Sequence, residues 1–103
     1  MRVTITPGPC RFTTIVDAEQ KDSSTAAVKI QTDCTFYKPI EEELSEVDAY
    51  GEVFGKLGEG KIYEVCRKYC KHAACPVPSG ILKAVEATFK LALPTDVSMV
   101  FDK

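Results

Sequence analysis

A chain of 103 residues, 45% of them hydrophobic, has room for one compact domain, residues 1–103, built on a single core. Its 13 Lys and Arg stand against 15 Asp and Glu, which excludes the basic footprint that nucleic-acid phosphates require. The opening MRVTITPGPCRF has no continuous apolar region of the signal-peptide kind, and no stretch reaches the length of a membrane span. The expectation is a soluble, cytoplasmic protein, monomer or homodimer, with neither nucleic acid nor membrane as partner.

Val3 and Ile5 alternate with polar neighbours as in a strand, and Pro7-Gly8-Pro9 then breaks it, because neither proline can donate to a ladder. Phe12, Thr14, Val16 and Ala18 share one parity, and so do Ala26, Val28, Ile30 and Thr32 beyond the polar cluster Gln20 to Ser24. The pattern predicts an antiparallel hairpin. A turn centred on Asp22 sets Val16 opposite Val28 and Cys10 opposite Cys34, with Cβ atoms roughly 5 Å apart.

Pro39 suits a first helical position and Glu41-Glu42-Glu43 a first turn, with Ile40, Leu44 and Val47 at helical spacing. Gly51, Gly55, Gly58 and Gly60 punctuate a flexible connection that contains no phosphate-binding motif. Ile62, Val65, Cys66, Tyr69, Cys70 and Ala73 then trace the apolar stripe of a second helix, on which Cys66 and Cys70 read as small core residues. A third helix is expected from about Ser79 to Leu93, stopped by Pro94, and Val97, Met99 and Phe101 alternate as a last strand. These elements predict an α+β fold: an antiparallel sheet of three to four strands drawn from both ends of the chain, with helices packed on one face.

Five cysteines is an odd number, so they cannot form a complete disulfide framework, and in a reduced compartment such thiols are ligands, reactive groups or buried hydrophobes. Cys75 sits where Pro76 and Pro78 turn the chain into a helix. A thiol there feels the helix dipole and free amides, which favour thiolate and lower its pKa. His72 precedes it by one turn. Cysteine before a hairpin, cysteine after it, and a His-x-x-Cys at a helix entry resembles the NifU/IscU-type iron-sulfur cluster scaffold proteins over roughly residues 10–92. The resemblance implies Cys10, Cys34 and Cys75 as ligands of an iron-sulfur cluster or zinc, with a cysteine desulfurase or an iron-sulfur acceptor as partner. His72, Asp33 or Cys70 would complete the site. Arg11-Phe12 stand where that family has Gly and Asp after its first cysteine, and Ala73-Ala74 separate His72 from Cys75.

The PGxC, DC and HxxCPVP pattern also resembles a family of small uncharacterised proteins of anaerobic archaea and bacteria. The CPVP helix start, Cys75 to Pro78, is similar to that of TusA-type sulfur carriers, which implies the alternative of a persulfide on Cys75. A third alternative is a structural domain with buried cysteines. A conventional hydrolase is not expected, since GxSxG and HExxH are absent and His72 is the one histidine.

Overall fold

The computed structural model describes residues 1–103. Four strands form one antiparallel sheet in chain order: β1 (Arg2–Ile5), β2 (Thr14–Gln20), β3 (Thr25–Thr32) and β4 (Glu46–Asp48). Four helices complete the fold: α1 (Ile40–Glu43), α2 (Ala49–Phe54), α3 (Lys61–Tyr69) and α4 (Val77–Thr88). The α+β class and the antiparallel sheet are as the alternation of side chains requires.

Thr14, Val16 and Ala18 of β2, and Ala26, Val28, Ile30 and Thr32 of β3, are all buried on one face. There they join Ile40, Ile62, Val77, Ile81 and Val85 from the helices, and Leu44 just after α1, in one core. Helix α4 lies along β1 and β2. Gly80 allows that approach, since a Cβ there would run into the Ile5 side chain. The opposite face of the sheet carries the Arg2–Asp17 ion pair, directly across β1 and β2.

The hairpin register differs from the expected one by two residues. Val16 pairs with Ile30, and Val28 with Ala18. The cause is Asp22, which does not sit at the centre of the turn. Its carboxylate accepts from the Ser24 and Thr25 amides at 3.0 and 2.8 Å, so it opens an Asx turn centred one residue later. Because the shift is even, every side chain keeps its face. Thr14 and Thr32 become the opposed pair, their hydroxyls bonded at 2.9 Å in the core.

Three expected elements are corrected. The acidic helix is a single turn. Val47 leaves it and pairs with Ala26 in β4, where the chain satisfies the second edge of β3. The glycine-punctuated connection contains a helix, α2, whose Glu52 caps α3 by accepting from Ile62 N–H at 3.0 Å. The expected last strand is absent from the sheet: α4 ends at Thr88, and Lys90 takes a left-handed conformation with Leu91 N–H bonding to Glu86 O at 2.9 Å. This closes the helix by a Schellman-type turn without the usual glycine, before Pro94 is reached. No helix is long and apolar enough to cross a membrane.

A thiol cluster at the start of α4

The topology collects four of the five cysteines at one end of the sheet. The β1–β2 loop with Cys10, the segment after β3 with Cys34, and the approach to α4 with Cys70 and Cys75 all lie there, since Ile5 at the end of β1 touches Gly80 in the first turns of α4. Cys10 is exposed in a turn held by the Arg11 N–H to Gly8 O bond, and Asp33 and His72 are exposed too. Cys34 is half-buried against the core. No group of three or more His, Cys, Asp or Glu side chains is placed to hold a metal ion. Cys10, Cys34, Cys75, His72 and Asp33 do not come together as such a group, so the expected zinc or iron-sulfur site finds no support in this arrangement. The register accounts for part of this, because the two-residue shift takes Cys10 out of opposition to Cys34.

A tighter arrangement forms around Cys75. Helix α3 makes its last bond from Cys70 N–H to Cys66 O at 2.8 Å, and the backbone of Cys70 then becomes extended. The chain folds into a compact turn on the His72 carbonyl, which accepts from Cys70 Sγ at 3.0 Å and from Cys75 N–H at 3.2 Å. Histidine 72 thus contributes its backbone, and the helix stripe expected to run through Ala73 stops at this turn. Pro76 and Pro78 then launch α4, where their missing N–H groups leave nothing unsatisfied.

Three groups act on the Cys75 sulfur. The Tyr37 hydroxyl donates to it at 3.5 Å, and the Val77 amide at the first helical position and the Cys70 thiol act on its ionisation in opposite senses, the amide favouring thiolate and the thiol opposing it. Tyr37 is buried, and Tyr37 N–H bonds to Cys34 O at 3.1 Å, so the turn after β3 aims its ring at Cys75. Lys71 over the Phe36 ring, at 5.7 Å, ties the same two segments together on the outside.

The electrostatics correct the expected low pKa of Cys75. Burial pushes its thiol up, and the Tyr37 O–H and Val77 N–H, which favour thiolate, do not offset this. Cys66 beneath is 1% exposed and is pushed up to about 12 by burial. It is a core side chain, as its place on the helical stripe implies. Burial and the adjoining thiols also keep the Tyr37 hydroxyl protonated, so it acts as a donor. Tyr37 carried no sequence signal beyond being an aromatic residue with a polar tip three positions after Cys34.

A family model covers residues 1–101. The chain belongs to DUF6951, a family of unknown function. Neither the curated proteins nor the solved structures contain a match. The resemblance to cluster scaffold proteins thus remains one of cysteine order along the chain, and the cysteines of this DUF6951 member are read from their own surroundings.

Proposed function

We propose that the protein works through thiol chemistry at Cys75, as a carrier of sulfane sulfur in the form of a Cys75 persulfide. The observation that carries this reading is the Tyr37 O–H, which donates at 3.5 Å to one half-buried sulfur where the chain turns into α4. Such a donor stabilises negative charge on sulfur, and a persulfide is more acidic than a thiol, so the pocket favours the loaded anion more than the empty thiol.

Loading is a transfer without net oxidation. Cys75 gives its proton to solvent, and its thiolate attacks the outer sulfur of a donor persulfide. An S–S bond forms at Cys75 Sγ, the donor's S–S bond breaks, and the donor leaves as a thiolate. A cysteine desulfurase is a donor of the right chemistry in a cytoplasmic setting.

Mass spectrometry of the reduced chain after incubation with a desulfurase and cysteine tests this. The expected product carries one extra sulfur mapped to Cys75, unchanged in Cys10→Ser and Cys34→Ser and lost in Cys75→Ser. Sulfur on another cysteine overturns the reading. So does stoichiometric zinc or iron-sulfur uptake, in anaerobic reconstitution, that falls equally in the Cys10, Cys34 and Cys75 variants, because that is the signature of the three-cysteine metal site.

A further inference from the structure

Cys70 is the one thiol within reach of Cys75 that is not sealed in the core. Cys66 is buried, whereas Cys70 is half-exposed and is held by the same His72 carbonyl that anchors Cys75 N–H. The Tyr37 hydroxyl donates to the Cys75 sulfur at 3.5 Å. The turn of residues 70–75 therefore gathers Cys70, by its thiol, and Cys75, by its amide, on one carbonyl, at the end of one helix and the start of the next.

We propose that Cys70 discharges Cys75, releasing the carried sulfur as hydrogen sulfide and leaving a Cys70–Cys75 disulfide. This rests on the carrier reading. The Cys70 thiolate, its proton lost to solvent, attacks Cys75 Sγ, and the bond between Cys75 Sγ and the sulfane sulfur breaks. The sulfane sulfur leaves with the electron pair as HS⁻. The sulfane sulfur is reduced, the Cys70 sulfur is oxidised, and a dithiol reductant returns both cysteines to thiols.

The experiment follows sulfide release from the persulfide-loaded full chain, freed of small thiols, with disulfide mapping of the product. Wild type should release sulfide as a Cys70–Cys75 disulfide accumulates. Measured per loaded Cys75, Cys70→Ser should release sulfide at least about tenfold more slowly, since the attacking thiol is then no longer intramolecular. Equal release by Cys70→Ser, or a disulfide from Cys75 to Cys34 or Cys10, overturns the proposal and leaves the carrier reading standing. Failure of wild type to load overturns the carrier reading and the discharge step with it.

The C-terminal segment carries an independent inference. Leu93, Val97, Met99, Val100 and Phe101 are 64 to 88% exposed. Beyond Thr95 the segment has no backbone hydrogen bond outside regular elements, although Val97, Met99 and Phe101 alternate like one strand face. The sheet has a matching vacancy, since β1 is an edge strand with its outer N–H and C=O groups unpaired. The two are neighbours: Thr88 Oγ1 at the end of α4 and the Met1 amino group donate to the same Ala18 carbonyl, at 3.2 and 2.7 Å, so the segment departs beside the start of β1.

We infer that residues 96–101 add as a strand to β1 of a second copy, and reciprocally, giving an exchanged dimer. The occupant is the second copy because the segment leaves its own sheet unpaired while carrying a strand pattern that complements a free edge. Sedimentation together with amide exchange tests it. A dimer, with protection at residues 96–101 and along Arg2–Ile5, should become a folded monomer in a Val97→Asp, Met99→Asp double variant. A wild-type monomer at all concentrations, whether its segment is protected or free, overturns the inference.

Discussion

The Tyr37 hydroxyl donates to the Cys75 sulfur across 3.5 Å, from a ring that is buried in the core. It is a fixed dipole on that sulfur, and it opposes the burial that holds Cys75 as a thiol. Tyr37→Phe keeps the ring and removes the donor. Cys75 should then be harder to ionise, and its alkylation by iodoacetamide at pH 8 should slow by about two- to tenfold, since each pKa unit is a factor of ten in thiolate. Urea unfolding should place the variant within about 1 kcal/mol of wild type, the usual net worth of one hydrogen bond.

Because burial raises the Cys75 thiol above its ordinary value, its thiolate is a minor species at neutral pH. The Cys75 alkylation rate should therefore still be climbing at about pH 9, rather than reaching a plateau near neutrality as an activated cysteine does. A plateau below about pH 7 would show that the amide and hydroxyl donors outweigh desolvation.

How much of this was legible beforehand depends on the range of the interaction involved. The inward faces of β2 and β3 follow from alternation alone, and an even register slip leaves them untouched, so Val16 and Val28 share the core face whichever residue centres the turn. The launch of α4 at CPVP was equally local. The edges of the sheet were not. Val47 fits a helix or a strand by spacing, and only the vacant edge of β3 decides for β4. The C-terminal segment has strand periodicity but no strand partner within its own sheet. At the thiol cluster, Cys75 was visible from its prolines, but Tyr37 arrives from a turn distant in sequence, and Cys70 changes role because α3 stops at Tyr69. The lowered pKa expected from the helix start failed because desolvation, which depends on what packs overhead, outweighs two donors.

Cys66 is a small hydrophobic side chain in function as well as position. It is 1% exposed and lies under the Cys70 and Cys75 thiols. Cys66→Ser places a hydroxyl among apolar neighbours and should cost about 1 to 3 kcal/mol in urea unfolding, while Cys66→Ala loses only the sulfur's packing and should cost less. Neither change should alter the site at which Cys75 takes up sulfane sulfur, which peptide mapping reads directly.

Glu52 is 7% exposed, with one carboxylate oxygen on Ile62 N–H at 3.0 Å and the other buried without a partner. Burial raises its pKa, with Asp48 adding to the rise, against the opposing pull of the Ile62 and Lys61 amides and the Lys61 charge. The folded chain therefore holds this proton more tightly than the unfolded chain. The stability it contributes is complete below the ordinary carboxyl value and is lost as pH rises through the folded value. Glu52→Gln keeps an acceptor for Ile62 N–H and removes the titration. Its stability relative to wild type should thus improve from about pH 4 to pH 7, read as diverging urea midpoints. Glu52→Ala also removes the charge but strands the Ile62 amide at the start of α3, and should be less stable than wild type by about 1 to 3 kcal/mol at neutral pH. If Gln and Ala behave alike, the acceptor on Ile62 is not what holds α3 to α2. If the wild-type and Gln curves run parallel across that pH range, Glu52 does not titrate there.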